Sequence, residues 1–233
     1  RMVCLSLLKL RLRPWCLPAA AFLGGLVATV VVYRIAAREG ITLVGTLLLA
    51  GIAINALASA GIGMLVFVAD EQQLRTLIFW TMGGFGAVTW AAILPALLVL
   101  AVTIPTLLPT AHLLDALALG EREAGHIGVD VERLKRRLVA QVALAVGAGV
   151  AISGIVGFVG LIAPHIVRLL LGPAHRTLLP AAALFGGAFL VLADALARTM
   201  VAPAELPIGI LTALVGGPFF LWLLAGRAAR GTS

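Results

Sequence analysis

Charged residues are scarce in this chain of 233 residues: Asp, Glu, Lys and Arg make up 12% of it, about half the share typical of soluble domains. Hydrophobic residues make up 62%. The strand-like alternation of polar and apolar residues that marks membrane barrels is also missing. Glycines are spread through the apolar runs instead, which suits closely packed membrane helices. The composition therefore predicts an all-α protein, a polytopic transmembrane helical bundle in contact with membrane lipid.

The motifs of several enzyme classes are absent as well. The only lysines are Lys9 and Lys135, and neither stands in the GxxxxGK[ST] pattern of a phosphate-binding loop. The HExxH and GxGD patterns that would indicate an intramembrane protease are missing. Cys4 and Cys16 have neither CxxC spacing nor neighbouring histidines, so a metal or redox role is not expected. We therefore predict no catalytic residues, no metal site and no cofactor. If ATP drives this protein, another chain binds and hydrolyses it.

The net charge of +7 does not indicate nucleic-acid binding, because the basic residues stand at the ends of apolar runs and no soluble domain is expected to carry a groove. Positive residues prefer the cytoplasmic side of a membrane. If the chain crosses seven times, four basic clusters fall on that side: residues 34–38, 110–137, 168–176 and 227–230. The basic residues within 1–16 fall on the opposite side, which predicts that this stretch is atypical or that further spans precede it.

Six apolar runs account for the seven predicted crossings: residues 17–36, 41–68, 91–108, 138–171, 178–201 and 206–225. The second run would be about 42 Å long as a helix, against a hydrocarbon core of about 30 Å. It is therefore expected to tilt, or to break at Gly61 or Gly63. The fourth run would be about 51 Å long. It is expected to cross twice, turning near Ser153, Gly154 and Gly157, with a single tilted helix as the alternative.

A few polar residues lie within these runs or beside them. Asn55 is expected to form a hydrogen bond between helices, or alternatively to line a pathway. Asp194 and Arg198 are four residues apart on one helix face, which favours a structural ion pair over a proton relay. His165 is expected to be a hydrogen-bonded structural histidine. Residues 74–90 are rich in aromatics and contain a Gly-Gly pair, which predicts a short helix and a turn at the headgroup level.

Residues 110–137 are the most strongly charged segment and are called the platform below. Each of its charges would cost about 2.5–3.5 kcal/mol in hydrocarbon, so the platform is predicted to lie on the water side. Leucines before Gly120, and residues 121–126 before Gly128, predict two short helices followed by a basic run. The pattern fits a docking surface for a soluble partner, or an ordinary polar loop.

Five motifs in order resemble the FecCD-type permeases: LLLAG at residues 47–51, FWTMGGFG at 79–86, LALGEREAGHIGV at 117–129, GFVGLIAPHIVR at 157–168 and AELPIGILTALVGGPFFLWLL at 204–224. These permeases are the membrane subunits of ATP-binding-cassette (ABC) importers for haem, iron-siderophores and cobalamin. The resemblance covers only the last seven helices of a ten-helix permease. It implies an N-terminally incomplete type II importer permease domain over residues 17–225, following the atypical stretch 1–16 and preceding a cytoplasmic tail at 226–233.

The same resemblance implies partners: a second permease copy as a homodimer, two cytoplasmic ATPase subunits, and a periplasmic substrate-binding protein, assembled at the bacterial inner membrane. The platform would supply coupling helices at 110–137 that fit the ATPase.

Roles for single residues also follow from the resemblance. The ATPase-coupling residues are Leu117, Gly120, Glu121, Gly125 and His126. The cytoplasmic gate is matched by Val44, Gly45 and Thr46, while Asn55 is a pathway candidate only through its place within an apolar run. Arg198 matches the arginine that receives an acidic residue of the binding protein.

The expected function is ATP-driven import of haem, or of a related iron complex, from periplasm to cytoplasm by alternating access. Haem is favoured because residues 193–224 look most like the haem-importing branch. A ferric-siderophore or cobalamin importer of the same family is the alternative. A proton-coupled secondary transporter using Asp194 or His165 is the rival class, and the lack of an evident inverted repeat argues against it.

Overall fold

The structure, a computed structural model, describes residues 16–38, 41–86, 88–201 and 206–231. Within these ranges the chain forms ten α-helices and one two-stranded antiparallel ladder, so the predicted all-α class is confirmed. The atypical stretch predicted at 1–16 lies outside the described residues, apart from Cys16. Within the predicted tail at 226–233, the backbone is helical as far as Gly231.

The elements follow one another with short connections. In chain order the helices are α1 (Cys16–Ala36), α2 (Val44–Val68), α3 (Glu71–Met82), α4 (Trp90–Leu107), α5 (Ala111–Ala118), α6 (Glu121–His126), α7 (Val131–Ser153), α8 (Val159–Leu171), α9 (His175–Met200) and α10 (Ile208–Gly231). Strands β1 (Ala37–Arg38) and β2 (Ile41–Thr42) pair between α1 and α2, with Ala37 opposite Thr42. A 3-10 turn, Leu108–Thr110, joins α4 to α5.

Five helical stretches of the described chain are long and apolar enough to cross a membrane, judged by length and composition: Pro18–Ala36, Val44–Val68, Trp90–Ala118, Val131–Ser153 and His175–Met200. Two shorter apolar helices, Val159–Leu171 and Ile208–Leu223, cover the remaining predicted spans. Every apolar run that the sequence predicts is therefore helical, while the count of seven crossings stays a prediction.

The chain divides into two units by its internal packing. The first comprises Arg1–Val68, Val88–Leu107 and Asp130–Ile152, and so contains α1, α2, α4 and nearly all of α7. Gly147 of α7 faces α1, and a Cβ placed on it would lie 3.1 Å from the ring of Phe22. A larger residue would force these two helices apart, which is how small residues permit close helix packing in membranes.

The second unit comprises Ala69–Ala87, Leu108–Val129 and Ser153–Ser233, with α3, α5, α6, α8, α9 and α10. Gly186 of α9 packs against Ala163 of α8, and a Cβ on that glycine would lie 3.5 Å from the Ala163 methyl group. The buried cluster Ala193, Ala197 and Ile208 joins α9 to α10. The core of this unit is thus built largely from small side chains that let helix backbones come close.

Helix α2 corrects one expectation from the sequence. The chain does not break at Gly61 or Gly63, since α2 is continuous over 25 residues, from Val44 to Val68. It is about 37 Å long at 1.5 Å per residue, shorter than the apolar run, because Ile41 and Thr42 belong to β2. A break would expose backbone groups that hydrocarbon cannot satisfy, which outweighs the cost of about 1 kcal/mol for each helical glycine.

The apolar run at 138–171 is two helices, so the alternative of a single tilted helix is wrong. Helix α7 ends at Ser153 and α8 begins at Val159. Gly154, with a φ of 68°, and Phe158, with a φ of 66°, bound the break. Helix α8 has 13 residues and is about 20 Å long, which is shorter than a hydrocarbon core of about 30 Å.

Three segments of the second unit cross closely at Gly83, Gly154 and Gly209. We call these three residues the glycine junction. The Gly84 amide donates to the Ser153 carbonyl at 2.8 Å, and the Ile208 amide donates to the Gly83 carbonyl at 3.1 Å. A Cβ on Gly209 would collide with the Met82 carbonyl oxygen, and one on Gly154 with the Trp80 carbonyl oxygen. The junction therefore requires glycine at these crossings.

The predicted short helix and turn at residues 74–90 are present, with a shifted start. Helix α3 begins at Glu71, because Asp70 caps it in a capping box with Gln73. Such reciprocal hydrogen bonds satisfy amides that the first turn leaves without partners. The helix ends at Gly83, where the glycine junction lies.

Candidate functional site

The platform contains the two short helices that the sequence predicts, α5 and α6, and its basic run belongs to the start of α7 instead. Gly120 separates α5 from α6 with a φ of 124°. A Cβ on it would meet only the end of the exposed Glu123 side chain, which can move away, so it is the backbone conformation that favours glycine there. Gly128, with a φ of 91°, then ends the α6 segment.

Helix α6 has one buried face and one exposed face. Ala124 is fully buried, whereas Glu121, Gly125 and His126 are exposed. The predicted coupling residues on α6 thus share a surface that a partner could reach. Leu117 and Gly120, at the end of α5 and in the bend, are only half-buried.

Two apolar residues on the platform escaped the sequence analysis. Leu119 is 71% exposed and Ile127 is 65% exposed, and they flank α6 on either side. Single exposed apolar residues are common on protein surfaces, so these two add apolar area beside α6 without marking an interface by themselves. Both are visible in the sequence next to residues 121–126, but the sequence does not indicate that their side chains stay exposed.

A second feature missed from the sequence is a hydrogen-bonded pair between the platform and α9. The Asp115 carboxylate of α5 accepts a hydrogen bond of 2.9 Å from the His175 backbone amide, and its Oδ1 lies 2.6 Å from the His175 ring Nδ1. The His175 side chain is 18% exposed. Asp115 therefore holds the first residue of α9 through both backbone and side chain.

A third missed feature lies in the first unit, at the start of α7. Lys135 is buried and its Nζ donates to the Thr42 carbonyl at 2.8 Å. Glu132 accepts hydrogen bonds from the Thr42 amide at 2.9 Å and the Thr42 hydroxyl at 2.7 Å. We call Thr42, Glu132 and Lys135 the Thr42 clamp. Its members are up to 93 residues apart in sequence, which is why no local pattern reveals it.

Farther along α7, Gln141 reaches α4 within the first unit. Its Nε2 donates to the carbonyl and to the hydroxyl of Thr106, both at 3.0 Å. Two hydrogen bonds from one amide fix the rotation of α7 against α4. This pair joins residues 35 positions apart, so no local sequence pattern predicts it either.

The predicted gate residues occupy the first turn of α2. Val44 is 54% exposed and Gly45 is exposed, while Thr46 is half-buried. A turn of 100° per residue places Asn55 nearly in line with Val44, about 16 Å farther along the helix. Gly45 and Thr46 project from other sides, so Val44 and Asn55 are the two predicted gate and pathway residues that share a face.

The Asn55 side chain is exposed. Over the residues that the structure covers, it has no hydrogen bond to another helix, so the expected hydrogen bond between helices is not formed within this chain. The pathway alternative stays a prediction.

The predicted pair of Asp194 and Arg198 is confirmed. Arg198 Nε donates to Asp194 Oδ2 at 2.8 Å, across one turn of α9. The Arg198 side chain is 47% exposed and the Asp194 side chain 25%. An arginine at such exposure keeps contact with its neighbour while offering surface to a partner.

His165 was expected to be hydrogen-bonded, but its described contact is aromatic. Its ring meets the ring of Phe219 edge-on, with 5.7 Å between centroids. This contact joins α8 to α10 inside the second unit.

As for metals, the described ranges contain no group of three or more His, Cys, Asp or Glu side chains that could hold an ion.

These features define a polytopic α-helical membrane protein with a polar platform between its apolar helices. The sequence model of the FecCD transport family matches residues 2–226, and the chain belongs to this family. This confirms the resemblance drawn from the five motifs.

Curated relatives and a solved structure agree with this membership. The hemin transport system permease protein HmuU of Yersinia pestis is 47% identical over 204 residues, covering 88% of this chain and 61% of that protein. The cobalamin import system permease protein BtuC of Halobacterium salinarum is 46% identical over 211 residues, covering 91% of this chain and 56% of that protein. The chain therefore spans about three fifths of the length of these relatives.

The fold matches a solved structure described as an inward-facing conformation of a proposed metal-chelate type ABC transporter. The TM-score is 0.80 at 32% identity, covering 91% of this chain and 72% of that one. The expected type II importer permease fold is thereby confirmed.

Proposed function

We propose that this chain serves in the permease subunit of an ABC importer that carries haem from the periplasm to the cytoplasm by alternating access. The observation that carries the proposal is the 47% identity to a hemin permease over 88% of this chain, together with the shared transporter fold. Cobalamin is the second candidate substrate, because a cobalamin permease is nearly as similar, at 46% identity.

The proposal includes the partners that such a subunit needs. Two chains would pair in the bacterial inner membrane, two ATPase subunits would bind on the cytoplasmic side, and a substrate-binding protein would dock on the periplasmic side. Residues 17–225 would be the permease domain. The long exposed apolar surface of α2, where Leu48, Leu49 and Ile52 are each more than 60% exposed, supports burial against lipid or a second copy.

The platform is proposed as the coupling surface. Glu121, Gly125 and His126 would contact the ATPase from α6, with Leu117 and Gly120 setting the angle of the bend. Exposed Leu119 and Ile127 add apolar area on either side of this surface. Val44, Gly45 and Thr46 would form the cytoplasmic gate, and Asn55 would line the pathway.

The substrate is tested by ATP hydrolysis of the assembled transporter in lipid vesicles. With a hemin-loaded binding protein inside the vesicles, hydrolysis is expected to rise several-fold over the same assembly with the unloaded protein. A cobalamin-loaded binding protein should not stimulate it. Stimulation by cobalamin alone would move the assignment to the second candidate, and a response to neither would overturn both.

Docking of the binding protein is proposed at Arg198, because an arginine at a helix end offers a bidentate contact to a carboxylate. Arg198→Glu is expected to weaken binding of the substrate-binding protein at least about thirtyfold, measured on permease vesicles by surface plasmon resonance. An acidic-to-arginine change on the binding protein should restore part of the affinity. Arg75→Glu is the matched control, since Arg75 is 72% exposed.

A purely structural role of Arg198 gives a different result. Asp194 would then face a second negative charge, the amount of permease in the membrane would fall, and no change in the binding protein would restore binding. That outcome would remove Arg198 from the docking surface.

A further inference from the structure

In the Thr42 clamp a buried charged side chain is hydrogen-bonded to a distant part of the backbone. Lys135 is 8% exposed, and a buried ammonium group is costly unless it is paired and hydrogen-bonded. Here it has the Thr42 carbonyl at 2.8 Å and Glu132 Oε1 at 3.3 Å. A buried ion pair adds little net stability, so we take the role of this one to be the geometry that it holds.

The group that this cluster holds is the backbone of Thr42. Glu132 accepts from the Thr42 amide and hydroxyl, and Lys135 donates to the Thr42 carbonyl. Tyr33 Oη of α1 lies 3.4 Å from the same hydroxyl oxygen. Thr42 itself is 1% exposed. Three hydrogen bonds to one residue fix both its position and its orientation.

Thr42 stands one residue before α2, and Glu132 and Lys135 lie near the end of the platform, after α6. Leu43 alone separates Thr42 from the first helical residue, Val44. Glu132 and Lys135 lie in the first turns of α7, which follows α6 through residues 127–130. The clamp thus ties Thr42, next to the first turn of α2, to the last part of the platform.

We infer that Glu132 and Lys135 are positioning residues that hold Thr42 so that the water-side ends of α2 and α7 move as one body. If the proposed function holds, on which this step rests, a displacement of the platform by the ATPase would reach Val44, Gly45 and Thr46 through the clamp. The gate would then follow the platform without any contact between the gate residues and the ATPase.

The alternative to this role is that Glu132 and Lys135 form only an ion pair with each other. The two residues are three apart on one helix, a spacing at which opposite charges often stabilise the helix alone. The distances argue against it, because both side chains approach Thr42 more closely than they approach each other. Exchanging the two charges, with Glu132→Lys and Lys135→Glu, distinguishes the positioning role from the simple ion pair. It would keep an ion pair but place a carboxylate against the Thr42 carbonyl.

The first test measures the position of the α2 start in the full chain, without other subunits. A spin label is attached at Leu43→Cys, a residue that is 59% exposed, in a background with Cys4 and Cys16 replaced by serine. The double variant Glu132→Gln with Lys135→Met removes both charges and keeps the shape, which often leaves folding stability intact. Its spin label is expected to become more mobile, and the charge exchange should not restore the original spectrum.

The second test measures the gate in the assembled transporter. An impermeant thiol reagent is applied to Val44→Cys from the cytoplasmic side, with and without trapped nucleotide. With the clamp intact, the labelling rate is expected to differ at least about fivefold between the two states. The double variant should hydrolyse ATP yet show little difference. The control neutralises the exposed pair of Glu71 and Arg75, whose Oε1 and Nη2 atoms lie 3.9 Å apart. It should change neither the labelling rates nor ATP hydrolysis.

The outcomes distinguish this inference from the proposed function. An unchanged spin-label spectrum in the double variant overturns the clamp, whatever the transport assays give. Restoration by the charge exchange also overturns it, in favour of the simple ion pair. A mobile label in the double variant, with no nucleotide-dependent labelling in the intact chain, upholds the positioning of Thr42 and contradicts ATP-driven gating.

Discussion

Replacing Gly209 with alanine is expected to reduce the amount of folded chain in membranes several-fold. The added Cβ would collide with the Met82 carbonyl oxygen, and a backbone atom cannot rotate away as the end of a side chain can. Overpacking of this kind costs about 1–3 kcal/mol, and losses of about 1–2 kcal/mol already change protein abundance several-fold. The measurement is the monodisperse fraction after mild detergent extraction, with thermal unfolding of whatever remains.

Gly217→Ala provides the matched control within the same helix. A Cβ on Gly217 would meet nothing within 4 Å, and alanine is the better helix former by about 1 kcal/mol. This variant should be at least as abundant as the parent chain. If Gly209→Ala were equally abundant, the glycine junction could not be the tight crossing described above.

Replacing Glu121 with arginine is expected to reduce substrate uptake at least about tenfold, because like charges brought together at an interface cost several kcal/mol. Glu121 is exposed on α6, so the folded chain should remain in the membrane in normal amounts. Uptake into vesicles and ATP hydrolysis are measured on the same preparation, and hydrolysis should lose its response to the loaded binding protein.

The control for this substitution is Glu71→Arg, which makes the same change at a side chain that is 92% exposed. Its surface pair with Arg75 contributes little to stability. Uptake should be normal in this variant. Normal uptake in Glu121→Arg as well would remove α6 from the coupling surface.

Most of the helices could be predicted because the membrane imposes length and composition on them. The apolar runs, the Gly-Gly interruption after Met82 and the charged platform each map onto an observed element. Of the two alternatives for the long second run, the break at Gly61 or Gly63 is absent, and this has a physical reason. The expectation of a break came from soluble proteins, in which glycine destabilises helices. In hydrocarbon the backbone has no other hydrogen-bond partners, so a helix that contains glycine stays intact.

The candidate site could be predicted only where its residues are neighbours in sequence. Asp194 and Arg198 lie one helical turn apart, and their contact follows from the helix period alone. The pairs of Asp115 with His175 and of Thr42 with Glu132 join residues 60 and 90 positions apart. Nothing in a single sequence indicates which distant polar groups meet. Lys135 gave a hint, however. It is one of only two lysines in the chain, and it lies near the start of an apolar helix.

The contact of Asp115 with His175 has a consequence at the far end of α9. That helix has 26 residues and is about 39 Å long, with His175 at its first position and Arg198 in its last turn. This helix therefore contacts the platform through His175 at its first residue and carries Arg198, the proposed docking residue, in its last turn. Because linkage between sites is reciprocal, if the proposed binding protein and the proposed ATPase favour the same tilt of α9, each strengthens the binding of the other.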